Sequence, residues 1–255
     1  MASSDILRDK VATANRILAY TGLASGIHAS LGHASARDTD TNHVYIKGRG
    51  YAVDSLARMR PSDLVTVDLD AKWIAGPPGI YPPHEVKMHT QIYRAHPEVM
   101  GVVHTHASTC VLLSVLNTPI RPMSNDGGAV VVDGVPLFES NVLISTDELG
   151  DSVVEAMGTA TAVLLRGHGA ITIGRSVEEA TMNMIYLEEQ AKLNYQAYVA
   201  AGKDHPSLSP ADIEAHHRSL EQLSSLGWLK QQRRHEPKRV ADRLWPIYAE
   251  MVSLG

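Results

Sequence analysis

Two apolar runs in this chain end in histidine, and that arrangement constrains its folding more than any other feature. One is Gly101-Val102-Val103-His104-Thr105-His106, and the other is Ala162-Val163-Leu164-Leu165-Arg166-Gly167-His168-Gly169. Short apolar runs bounded by turn signals read as buried strands. Residues two apart on a strand share a face, so the His104 and His106 imidazoles can converge on one point. A glycine-flanked turn can deliver His168 to the same point. A lone histidine on an apolar strand is most often a hydrogen-bonded core residue. Three imidazoles buried without partners would cost roughly 1 to 3 kcal/mol each, and a metal ion is a partner they can share. Three neutral imidazoles also leave a coordination position open, as a catalytic Zn²⁺, Mn²⁺ or Fe²⁺ requires to polarise a substrate oxygen.

The surrounding pattern alternates helix and strand. Ser4-Asp5 followed by Ile6, Leu7, Val11, Ala14, Ile17 and Leu18 predicts an amphipathic first helix closed by Gly22. Strands are expected at 44–46, 64–69, 101–104, 129–132, 137–138, 162–165 and 170–173, and helices at 85–95, 108–116 and 146–157. Ser176-Val177-Glu178-Glu179 and Ser209-Pro210-Ala211-Asp212 each open a further helix. The tail over 237–252 is helical by pattern, with Pro246 expected to kink or interrupt it. Neither repeats nor composition shifts mark a linker, so residues 1–255 are expected to form one domain with a helical tail. Glu85, at the start of its helix, is the acid/base candidate, because the following strand can return it to the histidines. The helix dipole favours a first-turn glutamate on its own account.

Composition narrows the partners. A net charge of −5, with basic residues scattered, argues against a nucleic-acid surface, and the densest basic stretch, Lys230 to Arg239, reads as a solvated face. Neither a bilayer-length apolar run nor a signal-peptide core is present, so a cytoplasmic protein is expected. Cys110 is the only cysteine, which excludes an intrachain disulfide, and its apolar surroundings predict a buried, inert thiol. His28, His43, His89, His96, His205, His216, His217 and His235 are expected in surface or packing roles.

Gly32-His33-Ala34-Ser35, the Ile46 to Gly50 turn, Pro61-Ser62-Asp63-Leu64, Glu85, Ile92-Tyr93-Arg94, His104-Thr105-His106 and Arg166-Gly167-His168-Gly169 follow the order and spacing of the class II aldolase/adducin family. The chain resembles that family over about residues 8 to 200. The resemblance implies a three-layer α/β/α fold with a mainly antiparallel central sheet. It also implies one divalent metal ion per chain on His104, His106 and His168, with Glu85 as metal-site carboxylate and general acid/base. A homotetramer with active sites at subunit boundaries is implied as well.

Departures from the family's phosphosugar aldolases bear on the substrate. Those enzymes show Gly-Asn where this chain has Gly32-His33, Thr-Gly where it has Arg49-Gly50, and Ser-Ser where it has Pro83-His84. The tyrosine that some of them carry lacks a counterpart near Pro119 to Met123. His33, Arg49, Gly50 and His84 are therefore the candidate substrate-binding residues, and they suit a small carboxylate, since a guanidinium can give one two parallel charge-assisted hydrogen bonds. The expectation is a metal-dependent carbon–carbon lyase, foremost a decarboxylase of a hydroxylated aromatic, dihydroxyphthalate-like acid. The alternatives are an aldolase or epimerase of an unphosphorylated hydroxy-acid or sugar, an iron-dependent oxidative decarboxylase, and an adducin-like non-enzymatic head.

Overall fold

The computed structural model describes residues 3–24, 31–226 and 240–253. Helix α1 (Ser3–Tyr20) buries the expected stripe of Val11, Ala14, Ile17 and Leu18. The chain continues through β1 (Gly32–Arg37), β2 (Val44–Lys47), β3 (Leu64–Val67), β4 (Trp73–Ala75), α2 (Val86–Ala95), β5 (Gly101–Thr105) and α3 (Ser108–Val115). There follow α4 (Gly128–Val131), β6 (Leu137–Phe138), α5 (Asp147–Met157), β7 (Ala162–Leu165), β8 (Gly169–Gly174), α6 (Val177–Ala201), α7 (Pro210–Ser225) and α8 (Val240–Met251). The strands form one sheet in the order β4-β3-β2-β1-β5-β8-β7-β6, antiparallel except for the β6–β7 pair.

Strand register sorts the side chains into two layers. His33 lies opposite His104 and Ser35 opposite Val102, so these four share a face. That face packs against α2 and α5 through Met88, Ile92, Tyr93, Val153 and Met157. Ala34, Ala36, Val103 and Ala170 point the other way, into a core shared with α1, α3 and α6. The outcome is the expected three-layer, mainly antiparallel α/β/α architecture. No described helix is long and apolar enough to cross a membrane.

Local signals mostly hold. Ser209 and Asp212 cap each other's backbone at the start of α7. Ser176 accepts from Glu179 N at α6, but the Glu179 carboxylate takes the N–H of Arg175 instead of that of Ser176. Pro246 lies inside α8. Leu244, Trp245 and Tyr248 of that helix pack, partly buried, against a cluster containing Ile17 and Met182, while Ile247 and Met251 stay exposed.

The strands depart from expectation in two places. Residues 129–132 do not form a strand: most of them lie in the short helix α4, packed against α6, where tertiary contacts override the β preference of Val130 and Val131. Strands β1 and β4 were not expected at all. His28, His235 and the stretch from Lys230 to Arg239 lie outside the described residues. Cys110 is buried as expected, and burial, reinforced by Glu188, pushes its thiol pKa well up.

Candidate metal centre

Three separate segments converge beyond the end of β5. His104 occupies the α2-facing side of that strand, His106 follows one residue past its end, and His168 sits in the β7–β8 turn. Glu85 is the N-cap residue of α2, yet its side chain makes no capping bond. It faces the histidines, with Oε1 3.4 Å from His168 Nε2 and Oε2 3.8 Å from His104 Nε2. One ligand atom from each of Glu85, His104, His106 and His168 fits within a mutual distance of 4.8 Å.

The backbone around the cluster is fixed from several sides. Gly32 adopts φ +121°, and a Cβ there would lie 2.8 Å from the His104 carbonyl oxygen. A Cβ at Gly169 would overlap the Thr105 carbonyl and approach His104 Cε1 to 3.1 Å. Gly167 N donates to Ser114 Oγ at 2.9 Å, anchoring the turn that carries His168. Buried Glu188 accepts from Thr109 N and Cys110 N, both at 3.1 Å, and holds the start of α3 directly after His106.

Hydrogen bonding sets the chemistry of His104. Its Nδ1 faces the Ala170 carbonyl at 3.1 Å, and a carbonyl only accepts, so Nδ1 carries the proton and Nε2 keeps its lone pair. That Nε2 is buried without a hydrogen-bond partner, as is Glu85 Oε1. Two unsatisfied buried acceptors facing one point, within a set of three imidazoles and a carboxylate, fit a divalent cation. Burial, then His168 and His106, hold the His104 pKa well below the usual histidine range. Burial and His168 also lower that of His106, against an opposing pull from Glu85. Both rings are thus neutral and able to ligate at ordinary pH.

The four candidate substrate residues are placed differently. His33 is buried opposite His104, with ring centroids 5.3 Å apart. Arg49 and Gly50 are exposed, and Arg49 pairs with Tyr81 and donates Nε to the Pro82 carbonyl at 3.1 Å. His84 is exposed beside Glu85. Among the described residues no hydrogen bond or ion pair joins Arg49, Gly50 or His84 to the cluster.

Sequence reasoning missed the layer behind the cluster. His33 Nδ1 meets His89 Nε2 at 2.8 Å, His89 Nδ1 meets Ser35 Oγ at 2.7 Å, and Ser35 Oγ meets the Tyr93 hydroxyl at 2.8 Å. The signal was present: Glu85, His89 and Tyr93 repeat every four residues on one face of α2, and His33 and Ser35 alternate on β1. Lys47, also buried, pairs with Asp54 at 2.9 Å and helps lower the His33 pKa, after burial, His89 and His104.

Burial pulls the His89 pKa down to about 3, against about 6.5 in an unfolded chain. A base with a depressed folded pKa contributes stability that is complete above its unfolded value and is lost as pH falls from about 6.5 toward 3. We expect the melting temperature to drop across that acid window and His89→Gln to flatten the drop. Calorimetry at stepped pH checks this, and an unchanged pH profile in the variant would place the acid lability elsewhere.

Comparison with known proteins adds three findings. The family profile described as "Class II Aldolase and Adducin N-terminal domain" matches residues 9–195. A 3,4-dihydroxyphthalate decarboxylase from Arthrobacter keyseri is 34% identical over 81% of this chain and 85% of the relative, and an L-fuculose phosphate aldolase from Methanococcus maripaludis is 31% identical over 64% and 84%. The solved L-fuculose 1-phosphate aldolase from Glaciozyma antarctica superposes with a TM-score of 0.78 at 21% identity, covering 98% of this chain and 90% of that one, and shares the fold.

Proposed function

This chain belongs to the class II aldolase and adducin family, and from that premise we propose that it is a divalent-metal-dependent decarboxylase of a hydroxylated aromatic, dihydroxyphthalate-like acid. The observation that carries the reading is the cluster of Glu85, His104, His106 and His168, with Arg49 hydrogen-bonded to Pro82 on the segment that leads through His84 to Glu85. Similarity to 3,4-dihydroxyphthalate decarboxylases at 33–34% identity supports it.

In this reading His104, His106 and His168 hold the ion, and Zn²⁺, Mn²⁺ and Fe²⁺ all suit such ligands. The bound cation supplies an electrophile that stabilises the electron pair released as CO₂ departs. Arg49 and His84 hold a substrate carboxylate, with Gly50 shaping the turn and His33 donating a hydrogen bond from behind. The ring carbon loses CO₂, keeps the bonding pair and gains one proton from Glu85, so no oxidant is consumed.

The test incubates zinc- or manganese-loaded enzyme, under argon, with ortho-hydroxylated aromatic dicarboxylates and with free and phosphorylated sugars, following CO₂ and aldehyde. CO₂ from the aromatic acids is expected, and Arg49→Ala should cut that activity by about 2 to 4 kcal/mol in transition-state binding with metal content unchanged. Aldehyde from a sugar with no CO₂ would establish the aldolase reading, which the similarity to the L-fuculose phosphate aldolase favours. CO₂ release only in air would point to the oxidative route.

A tetramer in the cytoplasm completes the proposal. Leu112, Val115 and Leu116 leave an exposed apolar ridge on α3, and Val115 Cγ2 lies 3.6 Å from where a Cβ on Gly167 would sit, beside the His168 turn. A neighbouring subunit covering that ridge would stand at the rim of the site. Light scattering at micromolar concentration should show four chains, and a monomer would refute it.

A further inference from the structure

We propose that Tyr93, Ser35 and His89 form a one-way hydrogen-bond chain that fixes His33 as its Nε2–H tautomer, making it an obligatory donor and keeping it out of the metal-ligand set. The three are positioning residues, and the donor role this gives His33 toward a substrate oxygen rests on the decarboxylase reading.

Direction follows from the far end of the chain. The Tyr93 side chain is fully buried, and among the described residues Ser35 Oγ is the hydrogen-bond partner its hydroxyl meets. The phenolic proton is then left with Ser35 Oγ, 2.8 Å away. Ser35 passes its own proton toward His89 Nδ1, so a neutral His89 carries its proton on Nε2 and gives it to His33 Nδ1. A neutral His33 must then be protonated on Nε2. Running the chain backwards would leave the buried Tyr93 proton without an acceptor, and an unsatisfied buried donor is costly. Burial pushes the Tyr93 phenol up and both histidines down, so all three groups stay neutral, as the argument requires.

Neighbouring imidazoles on one sheet face thereby receive opposite polarity. His104 gives its Nδ1 proton to Ala170 and keeps Nε2 free to ligate, whereas His33 accepts at Nδ1 and is left with a protonated Nε2. The distinction is needed because the His33–His104 ring separation, 5.3 Å, is close to the 4.7 to 5.1 Å among His104, His106 and His168. Spacing alone would not keep a fourth imidazole from competing for the ion. Its proton does.

The experiment records ¹⁵N spectra of full-length, zinc-loaded protein with ring-labelled histidine and no substrate. A scalar coupling across the His89–His33 hydrogen bond assigns the pair without any variant. We expect His33 Nδ1 at the pyridine-like shift of a bare nitrogen and Nε2 at the pyrrole-like shift of a protonated one. Tyr93→Phe removes the donor that sets the direction, so the Nδ1–H form of His33 should appear in it. A wild-type proton on Nδ1, or a Tyr93→Phe spectrum unchanged from wild type, would overturn the proposal. Because no substrate is present, failure to release CO₂ from any aromatic acid would sink the decarboxylase reading and leave the tautomer assignment standing.

Discussion

Replacing His104 or His168 by alanine is expected to strip the divalent metal from the purified protein and with it all turnover. Loss of a group that merely orients a metal ligand typically costs 10- to 100-fold in affinity, and loss of the ligand itself costs more. No described side chain stands ready to substitute: His33 commits its Nδ1 to His89, and Glu85 already faces the same point. Elemental analysis after dialysis, with circular dichroism to confirm the fold, checks this. Full metal occupancy in both variants would remove the cluster from consideration as a metal site.

Glu85→Gln should separate proton transfer from metal binding. The amide keeps the shape of the carboxyl group but cannot exchange a proton at working pH, and three imidazoles remain to hold the ion. We expect turnover to fall by about 10² to 10⁴ while KM changes little, the usual contribution of a positioned acid or base. Metal content should stay near one ion per chain. Undiminished turnover would assign the proton to water, whereas parallel loss of metal and activity would make Glu85 chiefly a ligand.

Those residues were legible in the sequence because each carried a strong local signal. His104 and His106 closed an apolar run, His168 sat between glycines, and Glu85 opened a helix. Strand β1 carried no such signal. Gly32-His33-Ala34-Ser35-Ala36-Arg37 lacks β-branched and aromatic residues, and it becomes a strand because β2 and β5 pair with it on both sides. With β1 unrecognised, His33 and Ser35 could not be placed on one face, and His89 and Tyr93 had nothing to meet. The hydrogen-bond chain was therefore hidden although half of it repeats plainly along α2. The reverse error came at Ala129-Val130-Val131-Val132, where a β-like composition yields to packing against α6.

Gly32 and Gly169 hem in the backbone around His104 from the two strands beside it, one through its positive φ and one through contact. A library randomised at either codon should return almost only glycine among active clones, whatever substrate is used for selection. Diversification of such an enzyme is left to exposed positions outside those strands, such as Arg49 and His84. New specificity would be gained at the edge of an invariant frame, one loop at a time.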